Sequence, residues 1–124
     1  MIRLALFVGL GGMLGSILRF LISQWILKYS SGAAPLGTLV VNIIGSFILG
    51  FLFHYYGKMD RQYYVLLTSG FCGGFTTFST FSVENINLMV TNNLGSALLY
   101  MILSLILGLT AAGCGWYLSK MYLA

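Results

Sequence analysis

The sequence has 124 residues, 59% of them hydrophobic and 6% charged, with 16 glycines and a single proline. Two acidic and six basic residues are too few to solvate a water-soluble domain of this length, and the richness in Leu, Ile, Val and Phe excludes a disordered chain. At about 20 apolar residues per crossing, the expectation is one all-α membrane domain, residues 1–124, with four spans and almost nothing outside the bilayer.

The first span is expected over about 4–27. Met1-Ile2-Arg3 followed by apolar residues imitates a secretion signal, but the apolar run continues too far and no A-x-A site closes it, so the helix is read as retained. Lys28 and Ser30-Ser31-Gly32 end it. The second span covers about 36–56, with Pro35 placed at its first turn, where a missing N–H is harmless. Gly57–Arg61 forms a polar turn. The third span covers about 63–90 and the fourth about 94–118, separated by Thr91-Asn92-Asn93 and followed by Lys120 and Tyr122. Runs this long suit helices, because a barrel strand needs only about 9–11 residues with alternation.

The net charge of +4 comes from dispersed residues: Arg3, Arg19, Lys28, Lys58, Arg61 and Lys120. They form no basic patch, which removes nucleic acid as a partner, and all but Arg19 fall near helix ends as membrane anchors. Four spans place both termini and the second turn on one side, with Arg3, Lys58, Arg61 and Lys120. Lys28, and Arg19 if it snorkels, belong to the other. The bias is too modest to assign one orientation. Cys72 and Cys114 belong to no CxxC or Cys/His cluster and read as small apolar residues.

Small and polar residues recur at helical spacing. The lines are Gly12, Ser16, Arg19 and Ser23; then Thr38, Asn42, Ser46 and Gly50; then Ser96, Tyr100, Ser104 and Gly108. Such lines let helices approach closely in lipid. Asn42 has an amide to satisfy at membrane depth, and Arg19 is either a snorkelling anchor or a charge lining a wet vestibule. His54, beside Tyr55 and Tyr56, belongs to an interfacial aromatic belt.

The stretch Gly70–Glu84 is dense in residues that weaken helices. Adjacent glycines cost roughly 1 kcal/mol each relative to alanine, and Ser and Thr compete for backbone partners. A break is expected near Gly73–Thr77, where freed backbone groups must be met by protein, water or an ion. Beyond it, Thr76, Thr80 and Glu84 step by four as a hydroxyl track ending in a carboxylate. Phe78, Phe81 and Asn85 form an aromatic face.

Residues 37–47 (GTLVVNIIGSF) and 70–82 (GFCGGFTTFSTFS) together resemble the signature of the Fluc (CrcB) family of small fluoride channels. Residues 15–20 (GSILRF) resemble its first-helix motif, although Ser16 stands where alanine is common, and Tyr100 with Ser104 fits its fourth helix. The resemblance implies a dual-topology antiparallel homodimer in the bacterial plasma (inner) membrane, with two fluoride pores and passive export of fluoride. Carried over, Asn42 is a pore hydrogen-bond donor, Phe78 and Phe81 are the pore aromatics, and Tyr100 and Ser104 line the path. Thr80 and Glu84 belong to the hydroxyl track, and Arg19 sits by the vestibule. The carbonyls of Gly73 and Thr76 hold a structural Na+ at the dimer interface.

Two other classes are weighed. A small proton-coupled multidrug exporter needs a buried carboxylate in its first helix, and this first helix has Arg19 and no acid. A non-conducting assembly subunit has no use for the broken helix and hydroxyl track. No nucleophile–base pair or metal cluster suggests an enzyme.

Overall fold

The computed structural model describes residues 1–32 and 35–123. Among them, all regular structure is helical: α1 (Ile2–Tyr29), α2 (Leu36–Phe53), α3 (Arg61–Val65), a π-helical segment (Leu66–Cys72), α4 (Gly73–Phe75), α5 (Phe78–Val90) and α6 (Leu94–Leu123). Helices α1, α2 and α6 are each long and apolar enough to cross a membrane. The third crossing, residues 61–90, is made of two helical pieces that meet at Thr76–Thr77.

The apolar residues face outward. Leu10, Ile17, Leu105 and Leu109 are all more than half exposed, while the interior is a small set comprising Val41, Cys72, Phe75, Ala97 and Tyr100. A water-soluble domain of this composition would bury the former group; in lipid, outward leucines are solvated and backbone polar groups are what must be hidden.

Glycines fix how closely the crossings approach. A Cβ on Gly11 would collide with the Leu66 carbonyl and one on Gly15 with the Phe71 carbonyl, while Gly74 meets the Gly12 backbone in return. Helix α1 therefore lies directly against the third crossing. On the other side, Gly50 of α2 meets the Ala112 carbonyl, and Gly115 of α6 meets the Phe47 carbonyl. Backbone contact of this kind yields dispersion energy where lipid supplies no hydrophobic drive. The wide π turns of Leu66–Cys72 lie along the contact with α1 and include both carbonyls that face Gly11 and Gly15.

The break lies inside the expected window, but the glycine pair does not make it. Gly73 has ordinary helical angles (φ −63°, ψ −37°), and Gly74 is spent on close packing against α1, which outweighs its weak intrinsic helix preference. Helix α2 ends at Phe53, before the expected residue 56, because Tyr55 and Tyr56 bond three residues back into a tight turn that reaches Gly57 at φ 75°. Pro35 is the N-cap and not the first helical residue, and its carbonyl accepts from the Leu39 N–H at 3.2 Å. At the end of α5, Asn92 takes φ 61°; its N–H reaches the Met89 carbonyl and that of Asn93 the Leu88 carbonyl, the paired bonds of a Schellman stop.

Gly15→Val is expected to destabilise the fold by about 1–3 kcal/mol, as overpacking does, or to stop it forming. Gly9→Ala, where no atom lies within 4 Å of the added Cβ, should leave it unchanged. Reversible unfolding in mixed detergent, followed by circular dichroism, measures the difference.

Candidate functional site

At the break, Thr76 (φ −88°, ψ 159°) and Thr77 (φ −150°, ψ 122°) are both extended. In an unbroken helix the Thr77 N–H would bond the Gly73 carbonyl. Here it donates to Asn42 Oδ1 at 2.8 Å, and Asn42 Nδ2 donates to the Thr77 carbonyl at 3.0 Å. One side-chain amide thus supplies both bonds that a neighbouring peptide would have made.

The remaining groups at the break are met locally. Thr77 caps α5, its Oγ1 accepting from the Thr80 N–H at 3.2 Å and donating to Thr80 Oγ1 at 3.1 Å. Upstream, the Thr76 N–H and hydroxyl both donate to the Cys72 carbonyl, at 3.0 and 2.8 Å. Arg19 Nε donates to the Gly74 carbonyl at 3.0 Å. The carbonyls of Gly73 and Thr76 are also released from the ladder, because the N–H groups of Thr77 and Thr80 are used elsewhere.

A second cluster joins three helices. Glu84 of α5 accepts from Thr38 of α2 at Oε1 and from the Tyr100 hydroxyl of α6 at Oε2, both at 2.7 Å. The Tyr100 ring packs 5.0 Å from that of Phe81, which lies 5.7 Å from Phe78. Tyr100 therefore links the carboxylate cluster to the aromatic face.

An open cleft of about 370 Å³ runs beside the break, and Asn42, Ser46, Thr77, Phe78, Phe81 and Ser104 are among the residues lining it. No residue of that lining is ionisable. The Ser104 hydroxyl is buried and has no hydrogen-bond partner among the described residues, whereas Phe78 is 79% exposed. A smaller cleft of about 280 Å³ lies on the other side of the Glu84 cluster, lined in part by Ser23, Thr38, Glu84 and Asn87.

Of the site residues named from the sequence, the structure brings Asn42, Phe78, Phe81 and Ser104 round one cleft. Tyr100 and Glu84 meet next to it, with Thr80 one helical turn before Glu84. Arg19 lies outside both linings, tied to the break. Among the described residues no three His, Cys, Asp or Glu side chains gather as a metal site. Two participants were not singled out beforehand. Thr38 appeared only in a stripe of small residues, though its position one turn before Asn42 signals a shared face. The pairing of Thr77 with Asn42 joins residues 35 positions apart and has no local signal.

Fold and site together define a multi-pass helical membrane protein organised around one interrupted helix and a largely apolar cleft that carries a few neutral polar groups and no fixed charge. The family described as "CrcB-like protein, Camphor Resistance (CrcB)" matches residues 6–116, and the chain belongs to it. Among curated relatives, a protein of Azobacteroides pseudotrichonymphae is 38% identical, covering 98% of this chain and 100% of its own. One of Flavobacterium psychrophilum is 43% identical over 92% of this chain and 94% of its own. One of Gloeothece citriformis is 45% identical over 93% and 95%. All three are named fluoride-specific ion channel FluC.

Removing the amide at position 42 strands both Thr77 backbone groups. Asn42→Ala is expected to destabilise the fold by about 1–3 kcal/mol, the range for unpaired buried polar groups, and to accelerate hydrogen exchange at the Thr77 amide. Exchange measured by mass spectrometry, with Ser16→Ala as the control, checks this.

Proposed function

We propose that this chain is a fluoride-selective ion channel through which fluoride leaves the cell passively, working as an antiparallel homodimer with two pores. The observation that carries the reading is the cleft beside the break, which gathers an amide, hydroxyls and phenylalanine rings and has no ionisable group in its lining. The names of the relatives, each covering more than nine-tenths of this chain, support it.

Fluoride is small and holds its water tightly, so a pathway must replace that water with donors. Asn42 uses one of its two N–H groups on Thr77, leaving a second. The Ser104 hydroxyl has no hydrogen-bond partner among the described residues. Ring edges are the positive side of an aromatic, so Phe78 and Phe81 offer weak attraction that an ion can leave, as conduction requires. Thr38 and Tyr100 hold their hydroxyl hydrogens on Glu84, and an anion moving between the two clefts competes with that carboxylate for them. Thr80, bonded to the Thr77 cap, continues the hydroxyl track. Arg19 fixes one positive charge beside the break, which raises the local anion concentration.

The dimer and its structural sodium belong to the same proposal. Sodium is a hard cation suited to oxygen donors, and the carbonyls of Gly73 and Thr76, released from the helical ladder, are donors of that kind. Two carbonyls from one chain fall short of a full shell, and an antiparallel second copy supplies them twice. The ion would neutralise the freed carbonyl dipoles at the interface.

Fluoride efflux from liposomes holding the purified protein, with chloride as control, tests the function; equal passage of both ions, or of neither, overturns it. Phe78→Ile and Phe81→Ile are each expected to cut fluoride flux at least ten-fold while the dimer still assembles. Asn42→Asp should suppress flux by adding a like charge. Unchanged flux in both phenylalanine variants removes them from the path.

A further inference from the structure

Away from the break, a separate cleft of about 490 Å³ opens between the α2–α3 turn and the outer half of the third crossing. Its lining includes Tyr56, Arg61, Tyr64, Val65, Thr68 and Ser69. We infer that it binds one anionic phospholipid, with the phosphate at Arg61 and the upper acyl chain along Tyr64, Val65 and Thr68.

The shape and chemistry are those of an amphiphile. The rings of Tyr56 and Tyr64 meet edge to face at 5.5 Å, giving walls with apolar bodies and polar tips suited to the headgroup level. From Arg61 to Ser69 the third crossing descends at most about 12 Å, the α-helical rise being 1.5 Å per residue and that of the wider π turns from Leu66 onward being smaller. That depth takes a headgroup, the glycerol and the first methylenes of a chain.

The charges specify the occupant. Arg61 and Lys58 are both exposed, and no ion pair forms among the described residues, Asp60 beside Arg61 included. Lys58 Nζ lies 2.7 Å from His54 Nε2, which orients the ammonium without neutralising it. The whole chain has two acidic residues, and Glu84 already accepts from Thr38 and Tyr100. A second copy could therefore bring only its own Asp60 to this cleft as counter-charge. A lipid phosphate brings it at the depth where Arg61 stands.

The test uses the full-length protein reconstituted from equal parts phosphatidylglycerol and phosphatidylcholine, re-extracted in mild detergent and examined by native mass spectrometry. Phosphatidylglycerol should be retained in preference to phosphatidylcholine, and Arg61→Gln should reduce its retention about five-fold, the size of one basic contact at a membrane surface. Val65→Trp, which fills the cleft and leaves the charges in place, should reduce it similarly. Lys28→Gln, at the end of α1, should change nothing. Equal retention of the two lipids overturns the inference, as does an effect of Lys28→Gln equal to that of Arg61→Gln, which means diffuse attraction. Full displacement of the lipid by inorganic phosphate also overturns it. So does efficient disulfide cross-linking of Ser69→Cys to a second copy, because protein then covers the cleft.

Discussion

The two hydrogen bonds between the Asn42 amide and the backbone of Thr77 are what allow a helix to stop in the middle of a membrane. An unpaired N–H or carbonyl in hydrocarbon costs several kcal/mol, and two extended residues release several such groups at once. A primary amide carries an acceptor oxygen and, on the same side, an N–H donor, so Asn42 alone can meet the N–H and the carbonyl of one residue. That pairing works only if α2 is held within about 3 Å of Thr77, a hydrogen-bonding distance. The glycine contacts achieve this. Gly45 of α2 lies directly against the Thr76 side chain, and Gly50 with Gly115 seats α2 on α6. On the far side, Gly11 and Gly15 seat α1 on the π-helical segment and α4. The abundance of glycine in the composition is thus the means by which three crossings converge on one interrupted one.

The same economy governs Arg19 and Glu84, the basic and the acidic side chain that lie within the crossings near the break. A charge there is expensive unless it is paired or well hydrogen-bonded. Arg19 donates to the Gly74 carbonyl, and Glu84 accepts two hydroxyls from different helices. Both are therefore engaged in holding the fold. Neither stands in the cleft beside the break, which is lined by neutral polar groups, phenylalanine rings and aliphatic side chains. A neutral lining neither traps an anion by a full opposite charge nor repels it by a like one, and that is the condition for passage.

Much of the fold was legible in the sequence because long apolar runs bounded by Lys, Gly and Ser have few alternatives in lipid. The break was legible as a region and not as a residue. Glycines and hydroxyl residues weaken the whole window Gly73–Thr77, but Gly74 packs against Gly12 within the helix, and the chain yields at Thr76–Thr77, where Asn42 can satisfy it. The π-helical segment had no local signature, since its width follows from the neighbouring glycines of α1. Arg19 could not be placed from spacing, because a long side chain reaches either the interface or the interior, and only the released Gly74 carbonyl decides between them. The residues round the cleft were named through a family resemblance; periodicity alone offered stripes on separate helices. Their juxtaposition depends on a bond between α2 and the break that no local pattern encodes.

What one chain leaves unfinished has a consistent character. Gly73 is exposed and its carbonyl lacks a helical partner, the Ser104 hydroxyl is buried without one, and Phe78 is 79% exposed beside an open cleft. In water an exposed carbonyl such as that of Gly73 would be met by solvent at little cost. In hydrocarbon a released carbonyl at mid-depth persists only against protein, an ion or a wet cavity, so these groups cannot all face lipid. The proposal of a second, inverted copy rests on this energetic ground as well as on kinship. A two-fold partner at the break would cover the Gly73 surface and turn an open cleft into an enclosed one. It would do so with no further chain length, using the same four crossings twice.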